Sequence, residues 1–360
     1  MQKRHFVDTV AIIAITKNGI DIAKNLRAKF PSWQVFAPSK FSNGDSKVNW
    51  FEESTTAKVG MLFQSYSALV CIFSLGAVIR LVAPYMKDKK TDPAVVVIDD
   101  AAKFVISMLS GHLGGANKLA EDIAGLIGAT PVITTAADVN KTIAVDLVGK
   151  EFGWQIDDDS TVTKVSAFMV NEEKIGVFQD AGEKNWWLPK KELPKNVHVY
   201  SSIDEMSRSD CKGFLIITDK IVEDKKVLER AVVYRPKTLV VGVGLHWDTS
   251  HDTIKEGLEF SLSKFKLSPK SVAKFSSIKK EAQVAGLREL AESMSVPVDY
   301  YENQELAQVT IPNPSEVVQN FEGTPSVSEA SAIKSSGGTL VVEKQKFPPN
   351  LTIAVARILK

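Results

Sequence analysis

What most constrains the fold of this chain is an alternation through about its first 145 residues, where short β-branched runs trade places with longer segments of helical period. That pattern belongs to a sheet with helices on both faces, so it predicts an N-terminal doubly wound α/β domain. The strand-like runs are residues 10–15, 33–36, 68–73, 94–98, 104–107 and 132–134. Between them, Ile22, Leu26 and Phe30 share one helical face, and Val59, Leu62, Phe63 and Tyr66 share another.

Past residue 148 the texture changes. An acidic run, Asp157 to Asp159, a Trp186-Trp187 pair and the breakers Gly182, Pro189 and Pro194 mark a smaller middle α/β domain over residues 149–236, with strand-like 174–179 and 214–218. A C-terminal α/β domain follows over 237–360. It opens with an apolar strand that runs into Gly242-Val243-Gly244, continues through helical 253–264 and 282–294, and closes with strands at 340–343 and 352–356. A length of 360 residues accommodates three such domains.

Composition narrows the function. Hydrophobic residues at 44% and charged residues at 24% are those of a folded globular protein. Lys plus Arg total 44 against 43 Asp plus Glu, so no global field draws the chain to nucleic acid or to an anionic membrane, and anion recognition must be local. Two cysteines, Cys71 and Cys211, are too few for a disulfide framework or a thiolate metal cage, which points to a reducing compartment, the cytoplasm. The apolar run at 10–15 is too short for a signal-peptide core or a membrane span. Five histidines without paired ligand spacing, apart from a loop-like 246/251 pair, imply no protein-held metal.

The most informative stretch is Ser110-Gly111-His112-Leu113-Gly114-Gly115-Ala116-Asn117, directly before a helical segment in which Leu119, Ile123 and Leu126 recur on one face. Glycines at a strand-to-helix turn let the backbone approach a ligand, and the open N–H groups of the helix's first turn favour an anion. His112 adds a group that takes or gives a proton near neutral pH. The bland alternative is a tight turn whose histidine only caps or packs. A second cluster, Ser74-Leu75-Gly76 with Arg80, Lys87 and Asp92, begins at the end of an apolar strand, where Arg80 is suited to a carboxylate and Lys87 to a mobile point charge; both are equally compatible with a solvated surface. Thr134, Thr135 and Asp138, at another strand exit, orient a ligand or else cap the next segment. Gly242 and Gly244 invite a dinucleotide-binding reading, but Trp247 stands where the third glycine belongs. Ser328 and Glu329 open a helical stretch as a cap or an anion-facing pair.

Together these stretches resemble the cobalamin-biosynthesis protein G family, the cobalt-precorrin-5A hydrolases of the anaerobic pathway. Residues 68–138 carry the resemblance most strongly: Gly76, Arg80 and Ala83-Pro84, then Lys87-Asp88 through Pro93 and the valine run, the turn from Ser110 to Asn117, and the stretch from Gly128 to Asp138. Gly242-Val243-Gly244, Pro312-Asn313-Pro314-Ser315, Ser326 to Ala330 and Ala354 to Arg357 match the family's third domain, which also resembles a stand-alone protein of the aerobic pathway. One departure is Leu245-His246, where the family pattern has a cysteine and a basic residue.

The resemblance implies hydrolytic opening of the δ-lactone of a cobalt corrinoid, with loss of two carbons as acetaldehyde, to give cobalt-precorrin-5B. It implies no cofactor, the cobalt belonging to the substrate, and leaves room for hand-over contacts with neighbouring pathway enzymes. A carboxylate-fringed macrocycle needs apolar walls and local positive charge. On this reading His112 is the general base for water, and N–H groups near Gly114 and Gly115 meet the oxyanion, with Ser110 as a lower-ranked nucleophile. Gly76, Arg80, Lys87, Gly111, Asn117, Lys118, Thr134, Thr135 and Asp138 line the substrate, joined by Gly242, Gly244, Ser328 and Glu329 from the C-terminal domain. The alternative is a non-catalytic corrinoid-binding or hand-over protein that uses the same cationic rim without His112.

Overall fold

A computed structural model describes residues 9–88, 91–112, 114–136, 142–187, 192–280 and 284–359. The chain forms two compact units, Met1–Leu147 and Val148–Lys360.

The first unit is built on strands β1 (Val10–Ala14), β2 (Gln34–Pro38), β3 (Val48–Phe51), β4 (Ala68–Ile72), β5 (Ala94–Ile98), β6 (Phe104–Leu109) and β7 (Thr130–Val132). They make one sheet in the order β3-β2-β1-β4-β5-β6-β7. Strands β1, β4 and β5 are buried at every position, as central parallel strands covered on both faces must be. Helices α1 (Lys17–Lys29) and α4 (Ala116–Ile127) cover one face: Ile20, Ala23, Leu26, Leu119 and Ile123 pack against Val10, Ile12, Val70 and Val96. Helices α2 (Thr55–Ser65) and α3 (Leu75–Val82) cover the other, where Val59, Leu62, Phe63, Val78 and Val82 meet Ala11, Ile13, Leu69 and Cys71. Successive strand residues thus serve opposite layers, which is the doubly wound arrangement.

Two features differ from expectation. Strand β3 was not anticipated, because Val48-Asn49-Trp50-Phe51 is short and broken by a polar residue. Strand β6 runs antiparallel to β5, with Leu109 beside Val95 and Val105 beside Ile98, while β7 runs parallel to β6. Its carboxyl end therefore lies at the amino end of β5.

The second unit holds two sheets. Strands β8 (Gln155–Ile156), β9 (Ile175–Gln179), β10 (Val197–Tyr200), β11 (Gly213–Ile217) and β12 (Ala231–Arg235) lie in the order β10-β9-β11-β12-β8. Strands β13 (Leu239–Leu245), β14 (Val272–Ile278), β15 (Val298–Tyr301), β16 (Thr339–Phe347) and β17 (Leu351–Arg357) lie in the order β15-β14-β13-β17-β16. A buried polar junction joins the two sheets. The carboxylate of Asp219, which is fully enclosed, accepts two hydrogen bonds from Arg357 at 2.8 and 2.7 Å and one from the Thr238 hydroxyl at 2.8 Å. Arg235, 2% exposed, donates to Asp157 at 2.7 Å, and Lys270 lies 3.7 Å from the same carboxylate.

Gly242 and Gly244 sit inside β13, paired with Ala354 and Thr352 on β17, not in a strand-to-helix turn. The dinucleotide reading fails on that ground. Close packing accounts for Gly242, since a Cβ there would stand 1.9 Å from the Ser328 carbonyl oxygen of the helix Val327–Ser336.

Candidate functional site

Strand β6 delivers the chain to its glycine turn at Leu109. Ser110 then takes a φ of 55°, a conformation few side chains adopt, and its hydroxyl donates to the Asp92 carbonyl at 3.0 Å. The turn folds back on the start of α4. The Gly115 N–H donates to the His112 carbonyl at 3.1 Å, that of Ala116 to Ser110 at 3.2 Å and that of Asn117 to Gly111 at 3.0 Å. Donors that a helix start leaves open are thereby met from within the turn. Gly114 is required by this closeness, because a Cβ on it would lie 2.4 Å from the Ser110 Cβ.

Two expectations change as a result. The Gly115 N–H is engaged by His112's own carbonyl, so it is not aimed at an oxyanion. The Ser110 hydroxyl is directed at a backbone carbonyl, not at the imidazole, which removes the reason for reading it as a nucleophile.

The side chain of His112 is 16% exposed, and its Nδ1 stands 3.5 Å from Oδ1 of Asp146, itself 22% exposed. At that length the contact is longer than a tight hydrogen bond, and it becomes a charge pairing only when the imidazole is protonated. A carboxylate beside Nδ1 favours the proton there and leaves Nε2 as the basic nitrogen. Sequence reasoning missed Asp146. Its one signal is that it is the lone acid among Ile143, Ala144, Val145 and Leu147, in a stretch whose apolar residues are largely enclosed.

Other expected residues converge on this edge of the sheet. Asn117 is enclosed and cross-links three segments: its Oδ1 accepts from Ser107 on β6 at 2.6 Å, and its Nδ2 donates to Thr135 at 2.9 Å, just past β7. Thr134 is exposed beside it. Lys87 is exposed at the start of the loop into β5, its N–H bonding both Asp92 carboxylate oxygens at 3.0 Å, so the loop that carries it is the one that receives Ser110. Lys118 points outward and pairs with Asp122 one turn along α4. Asp138 lies outside the described residues.

Gly76 and Arg80 do not join them. Gly76 follows the carboxyl end of β4, whereas the His112 turn is at the amino end of β5, about 16 Å away along a five-residue strand. Arg80 bends back to donate to the Gly76 carbonyl at 3.2 Å, so its guanidinium serves the far edge. The expectation that Gly76 and Arg80 line one site with residues 110–118 is corrected by the reversal of β6, whereas Lys87 and Asp92 stay with the turn.

In the second unit, Ser328 and Glu329 are buried. The Glu329 carboxylate accepts from the Asn313 N–H at 3.2 Å, its Nδ2 at 2.8 Å and the Lys344 N–H at 3.1 Å, so it anchors the Pro312-to-Ser315 loop. Thr352 donates to the Gly244 carbonyl at 3.3 Å. These contacts assign Gly242, Gly244, Ser328 and Glu329 to packing, not to a ligand-facing wall. Among the described residues, no group of three or more His, Cys, Asp and Glu side chains is disposed to hold a metal, and no helix is long and apolar enough to cross a membrane.

Family models described as cobalamin synthesis G N-terminal, cobalamin biosynthesis central region and cobalamin synthesis G C-terminus match residues 57–138, 143–236 and 239–356. A cobalt-precorrin-5A hydrolase of Priestia megaterium is 43% identical, over 97% of this chain and 94% of that protein. The chain belongs to the cobalamin synthesis G family. Another relative in this family, the cobalt-precorrin-5A hydrolase of Salmonella typhimurium, is 30% identical over 93% of this chain and 94% of its own. Among solved structures, CobE, a protein from the cobalamin biosynthetic pathway, is 28% identical and covers 34% of this chain and 90% of that chain with a TM-score of 0.31. Within the cobalamin synthesis G family model for the N-terminal region fall both the His112 turn and the Lys87 loop.

Proposed function

We propose that this chain hydrolyses cobalt-precorrin-5A, opening its δ-lactone with release of acetaldehyde to give cobalt-precorrin-5B, and that His112 is the general base. The observation that carries the chemical part is the His112–Asp146 pair, a mostly enclosed imidazole with a carboxylate behind Nδ1. Nε2 takes a proton from water as the water oxygen bonds to the lactone carbonyl carbon. The ring C–O bond then breaks, and the imidazolium returns the proton to the departing oxygen; that hydroxyl next gives up its proton as the C–C bond beside it breaks, so its carbon leaves as acetaldehyde while the bonding electron pair and a proton stay with the macrocycle. Asp146 stabilises the imidazolium between those steps. Lys87, on the loop that bonds Ser110, supplies positive charge for the carboxylate fringe.

The substrate assignment is supported by the names of two relatives that match nearly the whole chain. The test is to mix the purified chain with the cobalt lactone and follow aldehyde release through a coupled alcohol dehydrogenase. Aldehyde formed without added nicotinamide in the primary reaction is the expected result; tight binding of the corrinoid with no aldehyde would make the chain a carrier instead.

A further inference from the structure

Gly111 stands directly before His112, and no positive φ calls for a glycine there. What excludes a side chain is Asn117. A Cβ at residue 111 would lie 2.5 Å from Asn117 Oδ1, 3.1 Å from its Cγ and 3.2 Å from its Nδ2, and beyond the adjoining residues these are its nearest atoms. The amide of Asn117 is thus packed directly against the Gly111 backbone.

A free amide would swing aside from a methyl group, but this one is pinned. Asn117 is 7% exposed, its Oδ1 accepts from Ser107 Oγ at 2.6 Å, its Nδ2 donates to Thr135 Oγ1 at 2.9 Å and its N–H donates to the Gly111 carbonyl at 3.0 Å. A buried polar group is costly to strip of its partners, so the amide holds its orientation. Its own helix gains little from it. Asn117 stands inside the first turn of α4, whose N-cap is Gly115, and asparagine ranks below alanine and leucine as a helix former. The bonds of the side chain run instead to β6 and to the segment just past β7, with Gly111 laid across the amide.

We propose that Asn117 is a positioning residue: its pinned amide is the floor under Gly111, and it fixes the peptide that leads into His112 and so the place of the imidazole beside Asp146. This rests on the reading of His112 as the base given above. The route is short. Gly111 is one peptide bond from His112, and the His112 carbonyl is itself tied to the Gly115 N–H at 3.1 Å, so the residue that carries the ring is held on both sides. The ring in turn stands 3.5 Å from the Asp146 carboxylate, and a shift of about 1 Å in a reacting group costs on the order of 100-fold in rate. With both polar atoms of its amide engaged by the protein, Asn117 acts on the substrate through His112, not as part of the wall that the sequence suggested.

The test is a double-mutant cycle in the full chain, read by aldehyde release and, without substrate, by nitrogen magnetic resonance of the His112 ring. Asn117→Ala removes the floor; Gly111→Ala keeps it and forces a methyl onto it. Each is expected to lower kcat about 10–100-fold with KM within about twofold of wild type. The double variant is expected to be no slower than Asn117→Ala, because the added methyl then meets open space. In the ring resonances, taken where the imidazole is neutral and assigned with His112→Ala, the wild type should hold its proton on Nδ1 and Asn117→Ala should share it between the two nitrogens. Losses that multiply in the double variant, a rise in KM in place of the fall in kcat, or an unaltered tautomer in Asn117→Ala overturns the proposal. Ser107→Ala, which takes away one bond and leaves the amide, is the probe if Asn117→Ala does not fold; kcat about 2–10-fold lower is expected, and an unchanged kcat is equally fatal. The two readings fail separately: a wild type that releases no aldehyde removes the hydrolase reading, while the ring resonances still decide whether Asn117 places the imidazole.

Discussion

His112 and Asp146 come from separate loops of the first unit, and each is partly shielded from water, so their mutual charge is screened less than that of a surface pair. Replacing His112 by Ala is expected to lower turnover roughly 10²–10⁴-fold if Nε2 is the base; a folded variant with unchanged aldehyde release ends that role. Asp146→Asn keeps the shape and removes the charge, and a loss of about 10–100-fold in kcat with little change in KM is expected of a group that acts through the imidazole. An equal rise in KM instead would mark Asp146 as a substrate contact. The histidine was legible in the sequence because the glycines around it announce a turn. Its partner was not, because a lone acid in an apolar stretch says nothing of what it faces until the chain brings Asp146 back to residue 112.

At the scale of elements, the decisive one is β6. Alternation of apolar runs correctly indicated strands and helices for most of the first unit, yet it carries no information on strand direction, and β5 and β6 read alike whether they pair parallel or antiparallel. The antiparallel pairing sends Arg80 and His112 to opposite edges. Arg80→Ala should therefore leave kcat/KM within about twofold of wild type, whereas Lys87→Ala should raise KM, on the order of 5–30-fold for one charged contact; steady-state kinetics on both variants decides it, and a large Arg80 effect would reject the separation of edges. The glycine turn is equally specific: Gly114→Ala forces a methyl onto Ser110, and a loss of about 1–3 kcal/mol in urea unfolding is expected. In β13 the glycines were legible but their purpose was not, since a helix pressed on a strand and a loop around a phosphate call for the same residue type.

For the molecule as a whole, the second unit depends on charges held out of water between its two sheets. Burial alone would raise the Asp157 carboxyl, but Arg235 and Lys270 outweigh it and hold the group below the usual carboxylate range. A depressed carboxyl stabilises the fold above its unfolded value, near 3.8, and that contribution disappears as pH falls through the lower folded value. Unfolding followed by tryptophan fluorescence between neutral and strongly acid pH should show this, with Asp157→Asn flattening the acid limb; an unchanged acid limb would contradict it. Asp219 is more demanding, because it is fully enclosed and faces Arg357 and Thr238 together. Its carboxylate belongs to the strand end of the middle sheet, while both donors belong to the last sheet. A gene fragment that stops at residue 236 would strip that acid of its guanidinium and hydroxyl at once, so anyone dividing the chain for separate expression does better to cut after Leu147 and keep everything downstream in one piece.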